Sequence, residues 1–137
     1  MRLDHVGVQV ADLAAAAEWY CVAFDLEREL DLRVDPIELD IVMLRSARFG
    51  HRVELLHRPG SMPGLRAANP AIAALSECYT HIAFDVADLE TTHARLVTLG
   101  AREVMVPQQS PERGVRMSYV TDLEGNLVEL VERNPGG

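Results

Sequence analysis

The sequence predicts an α+β protein built from two tandem βαβββ modules, and three observations predict it. The first is an internal repeat: HVGVQVADL from His5 returns as HIAFDVADL from His81, an offset of 76 residues with His, Val, Ala, Asp and Leu identical. The second is a shared ending. Val53-Glu54-Leu55-Leu56 runs on to Arg58-Pro59-Gly60, and Val128-Glu129-Leu130-Val131 runs on to Arg133-Asn134-Pro135-Gly136, at an offset of 75. The third is a common order of patterns in each half: period-two alternation, a capped helical stretch, then three strand-like runs.

Each element follows from its residues. Residues 3–10 alternate, with Val6, Val8 and Val10 on the side expected to pack inward and His5, Gly7 and Gln9 on the other. Asp12 stands where an N-cap belongs, ahead of an Ala-rich run that predicts a helix over 13–23 with Trp19, Tyr20 and Ala23 as its bulk. Strand-like runs follow at 26–34, 38–46 and 51–57, punctuated by Asp35-Pro36 and Phe49-Gly50. The second half repeats the plan: a strand at 80–86, Asp88 as N-cap, a helix over 89–98 stopped by Gly100, and strands near 101–106, 115–121 and 126–132. The turn Asp122-Leu123-Glu124-Gly125-Asn126 joins the last two. Between the halves lies Arg58-Pro59-Gly60-Ser61-Met62-Pro63-Gly64, followed by a short helix starting near Pro70. The expected organisation is a single domain over 1–137: module 1 over about 1–58, a linker over about 59–78 and module 2 over about 79–134.

Composition narrows the function. The formal net charge is -8, which disfavours nucleic acid and anionic membrane surfaces as partners. All 13 basic residues are Arg, so Schiff-base chemistry and a P-loop Lys are excluded, and no Gly-x-Ser-x-Gly elbow presents a nucleophilic Ser. The apolar stretch at 13–17 is too short to span a bilayer and Met1-Arg2-Leu3-Asp4 has no signal-peptide character, so a cytoplasmic location and no membrane partner are expected. Cys21 and Cys78 lack metal or redox spacing and read as buried packing residues in a reducing compartment.

The repeat also carries polar residues. His5 and His81 lie on the strand face opposite the β-branched and aromatic residues, and His81 shares its face with Ala83 and Asp85. Glu54 and Glu129 sit between apolar neighbours, where a buried carboxylate without a partner costs several kcal/mol. With no Lys in the chain, one divalent cation (Zn, Ni, Co, Fe or Mn) is the most economical partner for His5, Glu54, His81 and Glu129, leaving positions open for a small-molecule substrate. A strand His is otherwise most often a satisfied structural residue, and a Glu between apolar residues an edge-strand solvent contact; the matched spacing, 49 residues in one half and 48 in the other, favours the metal. His51 and His57 project away from Glu54, and His93, on the second helix, reads as a surface residue.

These four residues, the HxxxxVADL openings and the D-x-x-G-N-x-V-E-L ending resemble the vicinal oxygen chelate superfamily, which includes glyoxalase I, methylmalonyl-CoA epimerase, extradiol dioxygenases, and fosfomycin and bleomycin resistance proteins. The resemblance spans nearly the whole chain. It implies strongly curved mixed sheets forming a cup around the metal, helices outside, and a homodimer whose sites close within one chain or across two. Short bacterial glyoxalases use the same His, Glu, His, Glu order. Their glutathione-holding Arg and Asn are replaced here by Gln9 and Arg58, so glutathione is not implied. Methylmalonyl-CoA epimerases share the extended linker but place Gln where Glu54 stands, and Glu38 falls near their second catalytic Glu.

The chemistry that such a site supports is proton abstraction beside a carbonyl or enediolate oxygen, giving isomerisation, epimerisation or a lyase reaction of the glyoxalase type. Glu129 is the first candidate for the base and Glu54 the second. Met43, Arg45, Met117 and Tyr119, on equivalent strands, are candidates for lining the cup, as core packing or dimer contacts would also explain. Arg113 and Arg116 could meet an anionic substrate, although a solvated turn is the favoured role for that Arg-Gly-Val-Arg segment. Two other functions compete: an extradiol-type dioxygenase, which wants a two-His, one-carboxylate set and has no use for the second Glu, and a non-catalytic antibiotic-binding resistance protein, which needs a cup but no metal.

Overall fold

The computed structural model describes residues 1–133. The chain divides into two compact units, Met1–Met62 and Pro63–Gly137. Residues 134–137, including the Asn134-Pro135-Gly136 part of the repeated ending, lie outside the described residues. Among the described residues no helix is long and apolar enough to cross a membrane.

The first unit holds β1 (Val6–Gln9), α1 (Leu13–Phe24), β2 (Glu27–Val34), a 3-10 turn (Asp35–Ile37), β3 (Leu39–Arg45) and β4 (Arg52–His57). They form an open sheet in the order β1-β4-β3-β2, with β1 parallel to β4 and the other pairs antiparallel. Asp12 caps α1 by accepting the Ala15 N–H at 3.0 Å. The helix ends at Asp25 in the left-handed region (φ 52°), whose N–H returns to the Cys21 carbonyl. Its buried face, Ala16, Ala17, Trp19, Tyr20 and Ala23, lies over β3 and β4, whose Val42, Leu44, Val53 and Leu55 are buried. Burying each such Leu contributes about 1.5–3 kcal/mol, so this layer sets which sheet face is core and leaves the other free for function.

The sequence put Val6, Val8 and Val10 in the core, and only Val10 is there. β1 is an edge strand and α1 packs over β3 and β4, so Val6 is left exposed and Val8 half-buried. The thiols also depart from expectation: Cys78 is exposed and Cys21 half-buried.

The second unit holds α2 (Pro70–Ala73), β5 (His81–Asp85), α3 (Leu89–Thr98), β6 (Glu103–Gln109), β7 (Arg116–Thr121) and β8 (Leu127–Glu132), with the sheet order β5-β8-β7-β6. Its connectivity copies that of the first unit, β5 running parallel to β8 and the remaining pairs antiparallel. Asp88 caps α3 by accepting the Thr91 N–H at 2.9 Å, and Asn69 caps the single turn of α2. Gly100, at φ +101°, lets the chain leave α3 in a conformation that side chains avoid. The stretch after Pro63 belongs to this unit by contact: Ala67 and Ala73 are buried with Leu127, and Arg66 donates to Asn126 Oδ1 at 2.9 Å.

His93 is a correction. It is 4% exposed, not a surface residue, and its ring joins Ser118 Oγ (3.0 Å from Nδ1) to Glu103 Oε2 (2.8 Å from Nε2), tying α3 to β7 and β6.

Candidate metal centre

Strand register builds two equivalent clusters, one in each unit. In the first, Glu54 on β4 is flanked by Gly7 on β1 and Met43 on β3. His5, immediately before β1, is two residues from Gly7 and shares its face, bringing His5 Nε2 to 3.4 Å from Glu54 Oε2. A side chain at position 7 would crowd this carboxylate, since a Cβ built there meets Glu54 Oε2 at 3.3 Å. In the second unit Glu129 on β8 is flanked by Ala83 on β5 and Tyr119 on β7, and His81 Nε2 lies 3.2 Å from Glu129 Oε2.

The other nitrogen of each His is occupied. His5 Nδ1 meets Asp4 Oδ2 at 2.8 Å, and His81 Nδ1 meets Thr80 Oγ1 at 2.9 Å. The Asp4 carboxylate can only accept, so His5 Nδ1 carries a proton and in the neutral ring Nε2 keeps its lone pair for a ligand, whereas the Thr80 hydroxyl donates to or accepts from His81 Nδ1 according to the tautomer. The His5 hydrogen bond, and then Arg52, hold the Asp4 carboxyl below its ordinary range. Asp4 and Thr80 were missed by the sequence reading, although each is the polar residue directly before a repeated His.

The donor set suits a divalent cation. Two atoms bound to one ion at about 2.0–2.2 Å stand roughly 3–3.5 Å apart, which brackets both His–Glu separations. Imidazole nitrogen with carboxylate oxygen is also the chemistry favoured by Zn, Ni, Co, Fe or Mn. Among the described residues, however, no three His, Cys, Asp or Glu side chains converge, so each unit offers a two-ligand cluster.

The clusters differ in what flanks the carboxylate. Tyr119, buried, is paired with Glu129 in the strand register and stands edge-on to His81 at 5.5 Å between ring centroids, whereas Glu54 has Met43 in that position. Burial, and after it the Glu129 charge, push the Tyr119 phenol above its ordinary value, so it stays protonated beside Glu129.

The remaining predicted residues are placed as follows. Met117 shares a sheet face with Tyr119, and Arg45 one with Met43. Arg116 is turned to the helix side, paired with Glu90 of α3 and with Glu132 at 3.7 Å, and does not share a face with Glu129. Arg113 is exposed in the turn before β7, and Glu38 is exposed at the end of the 3-10 turn in the left-handed region (φ 53°), away from the Glu54 register.

The Glyoxalase/Bleomycin resistance protein/Dioxygenase superfamily model matches residues 2–130, spanning both His–Glu clusters. The chain belongs to this superfamily. Its fold is that of glyoxalase family structures. A glyoxalase family protein from Bacillus cereus is similar at 24% identity and a TM-score of 0.80, over 96% of this chain and 93% of that one. The trypanothione-dependent glyoxalase I of Leishmania major is similar at 21% identity and a TM-score of 0.71, over 97% and 87%. Glyoxalase I from Zea mays matches at 17% identity and a TM-score of 0.72, this chain covering 45% of its length. No curated protein matches the sequence.

Proposed function

We propose that the chain is a divalent-metal-dependent enzyme of the glyoxalase type, which moves a proton on a carbon next to a carbonyl and so isomerises, epimerises or cleaves a small-molecule substrate. The observation that supports this reading is the duplicated His–Glu contact, 3.4 Å in one unit and 3.2 Å in the other, with both Nδ1 atoms held by neighbours. His5, Glu54, His81 and Glu129 are the proposed ligands. A divalent cation bound by them supplies the positive charge that stabilises the oxyanion developing as the proton leaves.

The rest of the task falls to side chains. Glu129 is the proposed base, accepting the proton on a carboxylate oxygen and returning it to the same or the adjacent carbon, with Glu54 as the second candidate. The Tyr119 ring, beside Glu129 in the register and edge-on to His81, walls one side of this carboxylate and limits the room it has to move. Glu54, flanked by Gly7 and Met43, has no ring or hydroxyl at those two positions and is proposed to remain a plain ligand.

A homodimer is part of the proposal, because each unit holds two of the four ligands and a site can be completed within one chain or across two. So is a cytoplasmic setting, in keeping with two free thiols. The deciding experiment is metal titration of purified protein with Zn, Ni and Co, with sedimentation to count chains per ion. Tight binding at one ion per four-ligand set, lost in His5→Ala and in Glu129→Ala, is the expected result. Wild-type metal binding in both variants would sink the reading. The chemistry is tested by exchange of a substrate α-proton in deuterated solvent, which Glu129→Gln should abolish without loss of metal.

A further inference from the structure

Arg45 on β3 and Arg52 on β4 stand directly opposite each other in the sheet, on the face that carries Met43 and Glu54. Like charges at a cross-strand pair are destabilising, and the repeat shows that the fold does not require them: the corresponding pair in the second unit is Thr121 with Leu127, uncharged and buried. The two guanidiniums line a groove of about 230 Å³ together with Arg2 and the aromatic pair Phe49 and His51, whose rings lie nearly parallel (15°). Arg52 is balanced by Asp4 at 3.1 Å and Glu29 at 2.9 Å. Arg45 has only Glu29, at 3.6 Å, beyond ordinary hydrogen-bond length, and Arg2 has no carboxylate partner among the described residues. Three guanidiniums thus face two carboxylates in a chain whose net charge is -8.

The groove is also preorganised. Ser46, buried at the end of β3, accepts the Phe49 N–H at its hydroxyl (3.1 Å) and the Gly50 N–H at its carbonyl (2.9 Å), and donates its own N–H to His51 (2.9 Å). The turn takes a positive φ at Gly50 (+75°), and the Arg45 guanidinium packs over it at 3.9 Å from where a Cβ would stand.

We infer that this groove is an anion subsite, holding the carboxylate or phosphate group of a small substrate while another part of that molecule reaches His5 and Glu54. The volume is below that of a pocket enclosing a whole drug-sized ligand and suits a charged head group, for which the Arg45 guanidinium, with no close carboxylate, supplies forked donors beside Arg2, while Arg52, engaged by Glu29 and Asp4, adds positive charge. Asp4 joins the two places, contacting Arg52 with Oδ1 (3.1 Å) and His5 with Oδ2 (2.8 Å). The inference names a substrate class for the proposed enzyme and rests on that reading for the role of the bound anion, but the binding itself needs no metal.

The test is therefore run on metal-free protein at low ionic strength, following arginine side-chain and backbone resonances during separate titrations with inorganic phosphate and with acetate. Saturable shifts at Arg45, Arg52 and Gly50 are expected, with affinity reduced about tenfold or more in Arg45→Gln and unchanged in Arg102→Gln. Saturation by phosphate alone assigns a phosphorylated substrate, by acetate alone a carboxylate, and by both an oxyanion of either kind. Non-saturating shifts spread over all arginines, or wild-type affinity in Arg45→Gln, would overturn the inference. The wild-type shift map decides the matter even if a variant folds poorly. A parallel metal titration separates the two proposals, since a chain that binds phosphate but no metal keeps the groove and loses the enzyme reading.

Discussion

Replacing His93 by Ala gives the most direct measure of how the second unit holds its sheet beneath α3. The ring is 4% exposed and Ser118, its partner through Nδ1, is fully buried. Truncation leaves the Ser118 hydroxyl in the core without its His93 hydrogen bond, at a cost of about 1–3 kcal/mol. Loss of the packed ring adds about 1–2 kcal/mol. The contact with Glu103 adds less than about 1 kcal/mol, because the Glu103 side chain is half exposed and solvent screens it. A loss of about 2–6 kcal/mol follows, or a fall in melting temperature of about 7–20 °C for a chain of this size. Urea and thermal denaturation followed by circular dichroism provide the measurement, with Ser118→Ala and the double variant completing a cycle. The double variant should lose about 1–2 kcal/mol less than the two single losses combined, since the orphaned hydroxyl has gone. A loss below about 1 kcal/mol, or strict additivity, would mean that His93 is not the buried link described.

Asp4→Asn removes the charge that orients His5 and is expected to weaken metal binding about tenfold, with Thr80→Val costing less; equal affinities for wild type and Asp4→Asn would refute the role given to Asp4. Tyr119 is held neutral by the fold, first by burial and then by Glu129. Its stabilisation is present below the unfolded phenol pKa near 10 and is lost as pH rises above that, at about 1.4 kcal/mol per pH unit. Denaturant midpoints of metal-free protein between about pH 9 and 11 should therefore fall more steeply in wild type than in Tyr119→Phe, and parallel slopes would count against it. Asp122, buried in the β7–β8 turn, accepts the backbone N–H groups of Glu124 and Asn126 (both 2.9 Å) and the Asn126 side-chain amide (2.7 Å). Asp122→Ala should cost about 2–4 kcal/mol in chemical denaturation, and a loss no larger than that of an exposed substitution would show the turn to be held by other means.

What was legible in the sequence is what local chemistry determines. Asp12 and Asp88 cap their helices because a short carboxylate side chain reaches an N–H three residues on, a contact that depends on no distant residue. The pairing of each His with its Glu was legible because the repeat printed it twice. Burial of His93 was not, since a polar residue on a helix declares neither face, and its partners Ser118 and Glu103 lie 25 and 10 residues away. The repeat did hold the signal: the matching residue of the first helix, Ala17, is fully buried. Exposure of Val6 was hidden for a related reason. Alternation gives a strand two faces, but only the placement of α1 over β3 and β4 decides how much of an edge strand is covered.

The repeat is most informative where it fails. Two halves with one backbone plan keep in common what the plan requires: a capping Asp, the strand order, and the His–Glu contact. A residue that differs between equivalent positions is not demanded by the fold, so its chemistry needs another reason. Met43 against Tyr119 makes the two carboxylates inequivalent, one beside a thioether and the other beside a phenol. Asp4 against Thr80 makes the two imidazoles inequivalent, since a carboxylate can only accept from Nδ1 while a hydroxyl can donate or accept. Arg45 and Arg52 against Thr121 and Leu127 give the first unit a cationic groove where the second has an uncharged, buried pair. All three asymmetries fall beside the repeated His–Glu contacts: an aromatic ring flanks the carboxylate in the second unit, and guanidiniums share the sheet face with the carboxylate in the first.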